Sequence, residues 1–177
     1  MDWLLIFVVL AVGFGPVFWF WPSKKERRLS LLREAARKEG LMVQTASLKK
    51  LHPSALELVS AGGVSLQPLV ECVTYSGYAS SALKMRRQRL RRSAPYRGEA
   101  SEEVIWINDP EIQHSEEHFD LLSLLDNLLS RFPNDILAIE LDMNIISLYW
   151  LEGPGSTGDT VAELACLLRE IDSRLTK

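Results

Sequence analysis

Hydrophobic positions divide the chain into one long apolar run and a series of shorter periodic segments. The run covers residues 3–21 and contains no charged and no strongly polar side chain. At 1.5 Å per residue, a helix of this length extends over about 28 Å, close to the hydrocarbon thickness of a bilayer. The pattern therefore predicts a transmembrane anchor over residues 1–21, with Trp3 at one interface and Trp19 and Trp21 at the other.

Basic residues follow only the C-terminal end of this run, whereas Met1 and Asp2 precede it. The positive-inside rule then predicts a single-pass protein of the inner (plasma) membrane, with its N-terminus outside and the remainder in the cytoplasm. A cleaved signal peptide is one alternative, but it requires a basic segment before the apolar run. A buried core helix is the other, and the basic cluster directly after the run disfavours it.

Small residues and a proline interrupt the apolar run at Gly13, Gly15 and Pro16. Proline removes one helical hydrogen bond and bends a helix, and glycines let a second helix approach closely. The interruption predicts either a membrane-protein partner that docks at these residues or a kink in a single anchor.

The rest of the chain alternates between helical and extended periodicities. Helices are predicted at 24–39, 114–132 and 159–175, and strands at 41–48, 69–78, 104–107, 136–143 and 144–152, the last two as a hairpin. Segregated strands and helices favour an α+β fold, with one N-terminal transmembrane helix followed by a small antiparallel sheet with helices packed on one face. The predicted units are the anchor at 1–21, a basic juxtamembrane helix at 22–40 and a cytosolic α+β domain at 41–177.

Charge is segregated along the chain although the net charge is only −3. Residues 22–98 carry 16 Lys and Arg against 5 Asp and Glu, and residues 99–177 carry 4 against 17. Such asymmetry indicates a basic surface that faces an anionic partner. Residues 83–98 are predicted to form an exposed loop or a basic hairpin arm because seven Lys and Arg fall there without an acid.

The predicted contact residues are the basic side chains of residues 24–28, directly after the apolar run, and of residues 83–98. They are Lys24, Lys25, Arg27, Arg28, Lys84, Arg86, Arg87, Arg89, Arg91, Arg92 and Arg97. Anionic membrane lipids are the favoured partner because the first cluster follows the anchor directly. An acidic protein partner, nucleic acid and a merely solvated loop are the other interpretations, with nucleic acid disfavoured.

A literal G-x-G-x-x-G pattern occurs at residues 153–158, between a predicted strand and a predicted helix. A dinucleotide site also needs a further parallel strand after that helix, and the sequence given has none there. The favoured interpretation is a loop that leads into a helix, and a nucleotide-using enzyme that acts through residues 153–159 is the alternative.

Other candidate chemistry lacks a complete set of residues. His114 and His118 are four apart on a predicted helix, but a zinc site needs a third ligand. Cys72 is a candidate nucleophile, although its spacing to His52 or His114 does not single it out. Cys72 and Cys166 are too few for a disulfide framework. We therefore predict a non-enzymatic interaction or accessory module with no catalytic residue, metal or cofactor.

A basic motif after the apolar run, Pro22-Ser23-Lys24-Lys25-Glu26-Arg27-Arg28, resembles the layout of YajC-type accessory subunits of the Sec translocase. The likeness covers residues 1–44, and the layout also resembles that of an uncharacterised family of bacterial inner-membrane proteins. The resemblance implies an accessory subunit of a membrane protein complex such as the Sec translocase.

Overall fold

The computed structural model describes residues 3, 23–80, 87–93, 105–112 and 121–176. The helices in this part of the chain are α1 (Lys24–Lys38), α2 (Leu121–Leu129) and α3 (Gly158–Leu175). The strands are β1 (Met42–Lys49), β2 (Leu69–Tyr78), β3 (Gln88–Arg92), β4 (Trp106–Asn108), β5 (Ile136–Asp142) and β6 (Ile145–Trp150).

The six strands form one sheet in the order β1-β2-β6-β5-β3-β4, and every neighbouring pair is antiparallel. The β5–β6 hairpin turns at Met143 and Asn144, between the paired residues Asp142 and Ile145. This is the turn that the alternation of the two segments predicts.

One face of the sheet packs against all three helices. Alternate strand side chains, among them Tyr75, Ile139 and Trp150, are fully buried there against Leu125 and Leu164 of the helices. This core forms because every second side chain of a strand faces the helices, and because each helix has an apolar stripe that faces the sheet. Truncating one of these side chains to Ala is expected to cost about 2–5 kcal/mol.

Helix α1 begins where the sequence indicates. Ser23 accepts a hydrogen bond from the Glu26 amide, and the Glu26 side chain accepts one from the Ser23 amide. Helix α3 begins one residue earlier than expected. Its N-cap is Thr157, whose amide donates to Oγ1 of Thr160 at 3.2 Å.

The predicted exposed basic arm is wrong over residues 88–92. These residues form β3, which lies between β5 and β4 in the sheet. Leu90 is fully buried on the helix-facing side, whereas Arg89 and Arg91 are buried on the opposite side. The alternation of Leu90 with its neighbours makes a strand, but the four polar or charged residues around this one leucine gave no clear strand pattern in the sequence.

Among the described residues, none of the helices combines the length and the apolar composition that a membrane crossing requires. Nine of the 15 residues of α1 are charged, α2 has only 9 residues, and α3 carries six charged residues among 18. The fold prediction is therefore corrected on this point. The structure supports neither the transmembrane helix nor the single-pass location in the inner membrane.

Residues 4–22, which carry nearly all of the predicted span, lie outside the described residues. Gly13, Gly15 and Pro16, the predicted docking point of a partner helix, lie there as well.

Candidate functional site: a basic cleft beside the first helix

A cleft of about 1270 Å³ opens beside the first turn of α1. Its walls come from six separate places in the sequence: the start of α1, the segment after β1, the start of β2, the end of β3, the segment around the start of β5 and the segment after β6. Leu51, Val70, Leu137 and Leu151 give it apolar lining. The basic lining residues of the cleft are Lys24, Lys25, Arg28, Lys50, Arg91 and Arg92.

Lys24 and Lys25 occupy the first two positions of α1, and both are exposed. The N-terminus of a helix carries the positive end of its dipole, so cations there are unfavourable for the helix itself. Neither lysine forms a salt bridge with any residue of the described ranges. Their position therefore adds positive charge to the cleft and does not stabilise α1.

Arg28 fixes the first turn of α1 against the segment that follows β6. Its Nη2 donates to the carbonyl of Glu152 at 3.1 Å, and its Nη1 donates to the carbonyl of Gly153. These residues are more than 120 positions apart in the sequence. The interaction joins two of the segments that line the cleft.

Arg91 and Arg92 reach the cleft from the end of β3. Arg91 is buried and donates to the carbonyl of Lys49 through Nη2, and burial lowers its pKa. Arg92 donates to the carbonyl of Pro133 at 2.8 Å and to Oδ1 of Asn134 at 2.7 Å. Its Nε has no hydrogen-bond partner among the described atoms, so the protein does not saturate this guanidinium.

Three acidic residues also line the cleft, and each one already has a partner. Glu57 pairs with Lys50, and that hydrogen bond is the main reason that its pKa is lowered. Asp135 accepts from the Gly153 amide at 3.0 Å. Glu152 accepts from the hydroxyl of Tyr75 at 2.7 Å. The lining thus holds six Lys and Arg against three carboxylates, and Lys24 and Lys25 have no acidic partner in the described ranges, so the cleft presents net positive charge to a ligand.

The carboxylate of Glu140 is the centre of a buried charged network on the sheet face opposite the helices. It accepts from Nε of Arg87 at 2.8 Å, from Nε of Arg89, and from the hydroxyl of Tyr149 at 2.8 Å. Arg89 also donates to Oδ2 of Asp109 at 3.0 Å. Burial foremost, and Glu140 next, raise the pKa of Tyr149.

Sequence reasoning missed this network because its members come from β3, β5, β6 and the residues that directly precede β3 and follow β4. The one available signal was the spacing of Arg89 and Arg91, two residues apart on either side of an apolar residue. That spacing places both guanidinium groups on one face of a strand.

The structure divides the predicted contact residues into three groups. It brings Lys24, Lys25, Arg28, Arg91 and Arg92 together at the cleft, and it leaves Arg27 exposed on α1 outside the cleft lining. Arg89 lies inside the buried network, and Arg87 is an exposed residue that pairs with Glu140 at the margin of that network. Lys84, Arg86 and Arg97 lie outside the described residues.

The G-x-G-x-x-G segment does not have the surroundings of a phosphate site. The Asp135 carboxylate accepts from the Gly153 amide, and it lies 3.4 Å from Oγ of Ser156. A carboxylate at this position repels a phosphate. The strand before the segment also belongs to an antiparallel sheet, whereas dinucleotide sites form at the ends of parallel strands.

Cys72 and the histidines do not form a reactive centre in the described part of the chain. Cys72 lies in β2, its Sγ is 3.6 Å from the carbonyl of Ala46, and burial raises its pKa to about 11. A thiol with this pKa is protonated at neutral pH and is a poor nucleophile. His114 and His118 lie outside the described residues, within which no group of side chains has the geometry of a metal site.

No protein-family model matches this chain, and no curated protein or solved structure matches it either. The resemblance of residues 1–44 to YajC-type subunits therefore stays a prediction.

Proposed function

We propose that this protein is a non-enzymatic interaction module whose basic cleft binds an acidic segment of another protein. The observation that carries the proposal is the convergence of six basic side chains from three separate segments on one cleft. Lys24 and Lys25 are placed there against the preference of the helix dipole, which favours a role in binding over a role in folding.

The apolar lining favours a protein segment over nucleic acid. Leu51, Val70, Leu137 and Leu151 offer surface to apolar side chains that lie between acidic ones. Single-stranded nucleic acid is typically bound by aromatic side chains on which the bases stack, and the described lining residues include no Phe, Tyr or Trp. The volume also exceeds the roughly 300–1,000 Å³ of common small-molecule pockets.

An acidic segment would bind largely through charge-assisted hydrogen bonds. Carboxylates would pair with the ammonium groups of Lys24 and Lys25 at the mouth, where the side chains are exposed. Arg92 would supply a guanidinium donor deeper in the cleft. Such an interface gains much of its association rate from electrostatics and weakens as salt increases.

The experiment is a fluorescence anisotropy titration of the full chain with a labelled synthetic peptide that repeats Glu-Glu-Leu over about twelve residues. The test variant is Lys24→Gln/Lys25→Gln. The matched control is Arg27→Gln/Lys38→Gln, which removes the same charge from the same helix outside the cleft.

We expect the test variant to weaken binding at least about fivefold and the control to change it less than about twofold. A peptide with Gln in place of Glu is expected to lose most of the affinity. Equal losses in the two variants would contradict the proposal, as would tighter binding of a single-stranded RNA of equal charge or of phosphatidylglycerol vesicles.

A further inference from the structure

Strand β1 is an edge of the sheet, because its only neighbour in the described part of the chain is β2. Alternate residues of an edge strand direct their N–H and C=O groups away from the sheet, where they can pair with another chain. β1 has 8 residues, whereas β4 at the opposite edge has only 3. The longer edge therefore offers several backbone hydrogen bonds to a partner.

The devices that protect sheet edges from pairing are missing within β1. Its sequence, MVQTASLK, has no proline, and its register with β2 runs without a bulge from Met42 to Lys49. Its single charged residue, Lys49, is the last one. Natural proteins usually interrupt an exposed edge with charges, prolines or bulges, so an unprotected edge of this length points to pairing.

A groove of about 840 Å³ runs between this edge and α1. Leu41, Val43 and Val73 line it with apolar surface, and Arg33 and Arg37 line it from the helix. The two arginines are one turn apart on the same face of α1, and both are exposed. Neither forms a salt bridge with a residue in the described ranges.

We propose that β1 binds an extended segment of another protein by strand addition, with carboxylate side chains of that segment paired to Arg33 and Arg37. Every second side chain of the added strand would face the groove at a spacing of about 6.6 Å. Side chains four apart on a helix are separated by about 6 Å along its axis. Acidic residues at alternate positions of the added strand therefore match the two arginines.

Charge decides between this occupant and a second copy of the chain. The described lining of the groove contains two cations and no acid. A second copy paired edge to edge would add another Arg33 and Arg37, whereas an acidic segment neutralises the pair that is present. This site goes beyond the basic cleft, since the described linings of the two share no residue.

The experiment measures hydrogen–deuterium exchange of the full chain by mass spectrometry, with and without an acetylated and amidated peptide in which Glu and Thr alternate over about ten residues. Strand addition is expected to slow exchange of the β1 amides. Anisotropy with the same peptide, labelled, compares Arg33→Gln/Arg37→Gln with the control Arg27→Gln/Lys38→Gln. We expect a loss of at least about fivefold in the first variant and less than about twofold in the control.

Several outcomes would overturn the proposal. One is slower exchange only around residues 50–57 and 151–154, with binding lost in Lys24→Gln/Lys25→Gln; the peptide would then occupy the basic cleft. Another is protection of β1 without peptide that grows with protein concentration, which would identify a second copy as the occupant. The absence of detectable peptide binding would overturn it as well.

Discussion

The hydroxyl of Tyr75 donates a 2.7 Å hydrogen bond to Oε1 of Glu152, and both side chains are buried. Tyr75 lies in β2, and Glu152 follows β6 with a φ of 50°, a left-handed conformation that is uncommon for a residue with a Cβ. The hydrogen bond and the contact of Arg28 with the Glu152 carbonyl at 3.1 Å hold this residue in place. Glu152 thereby links the core of the sheet to the wall of the basic cleft.

Tyr75→Phe is expected to lower the free energy of unfolding by about 1–2 kcal/mol, because Oε1 of Glu152 then remains buried without its donor. Urea denaturation of the full chain at neutral pH measures this loss. The control is Tyr78→Phe, which alters an exposed phenol on the same strand. Equal stability of Tyr75→Phe and the wild type would show that the hydrogen bond does not hold Glu152.

The same tyrosine predicts a pH dependence. Burial, followed by the hydrogen bond to Glu152, raises the pKa of Tyr75 well above its ordinary value. The unfolded phenol ionises near pH 10 while the folded one stays neutral, so stability is lost as the pH rises above about 10. The loss is at most about 1.4 kcal/mol per pH unit for one phenol. Between pH 9 and 11, the free energy of unfolding of Tyr75→Phe, measured by urea denaturation, should fall less steeply with pH than that of the wild type. Parallel curves of unfolding free energy against pH would contradict this.

Glu140→Gln is expected to cost about 3 kcal/mol in the free energy of unfolding, because it removes a charge that the buried Arg89 requires. Arg89 keeps only Asp109 as an acidic partner in the described network. The matched change Glu34→Gln breaks an exposed ion pair with Lys38 and should leave the urea midpoint unchanged. Similar effects of the two substitutions would show that the Glu140 network contributes no more than a surface pair.

Sequence periodicity predicted the elements in which apolar spacing dominates. The helix expected at 24–39 is Lys24–Lys38, and the strand expected at 69–78 is Leu69–Tyr78. β3 was not predicted because four of its five residues are polar or charged and only Leu90 is apolar. The burial of Arg89 in this strand also depends on Glu140, about 50 residues away in the sequence. The cleft was not predicted because it also depends on contacts between distant residues. Arg28 and Gly153, for example, are 125 positions apart, and no local sequence pattern relates them.

The chain has 2 cysteines, and their reactivities are expected to differ sharply. Burial raises the pKa of Cys72 to about 11, whereas Cys166 is exposed on α3. At pH 8 a disulfide reagent such as dithiobis(nitrobenzoate) should modify Cys166 of the native protein rapidly and Cys72 only on unfolding. Cys166→Ser should abolish the rapid phase, and its persistence in that variant would contradict the burial of Cys72.

Lys24→Gln/Lys25→Gln is expected to raise the stability of the protein slightly while it weakens binding of the acidic peptide. Both lysines oppose the dipole of α1 and have no ion pair among the described residues, so their removal relieves repulsion. Thermal unfolding of the full chain at low salt measures the sign of the change. A lower melting temperature would show that the lysines stabilise α1, which would remove the argument that they are placed for binding.

The most direct test of the basic cleft is zero-length crosslinking of the Glu-Glu-Leu peptide to the full chain. A carbodiimide joins peptide carboxylates only to amines that they contact, and mass spectrometry identifies the modified lysines. We predict crosslinks at Lys24 and Lys25 that disappear at high salt. Crosslinks at Lys38 or Lys49, with Lys24 and Lys25 unmodified, would contradict the account.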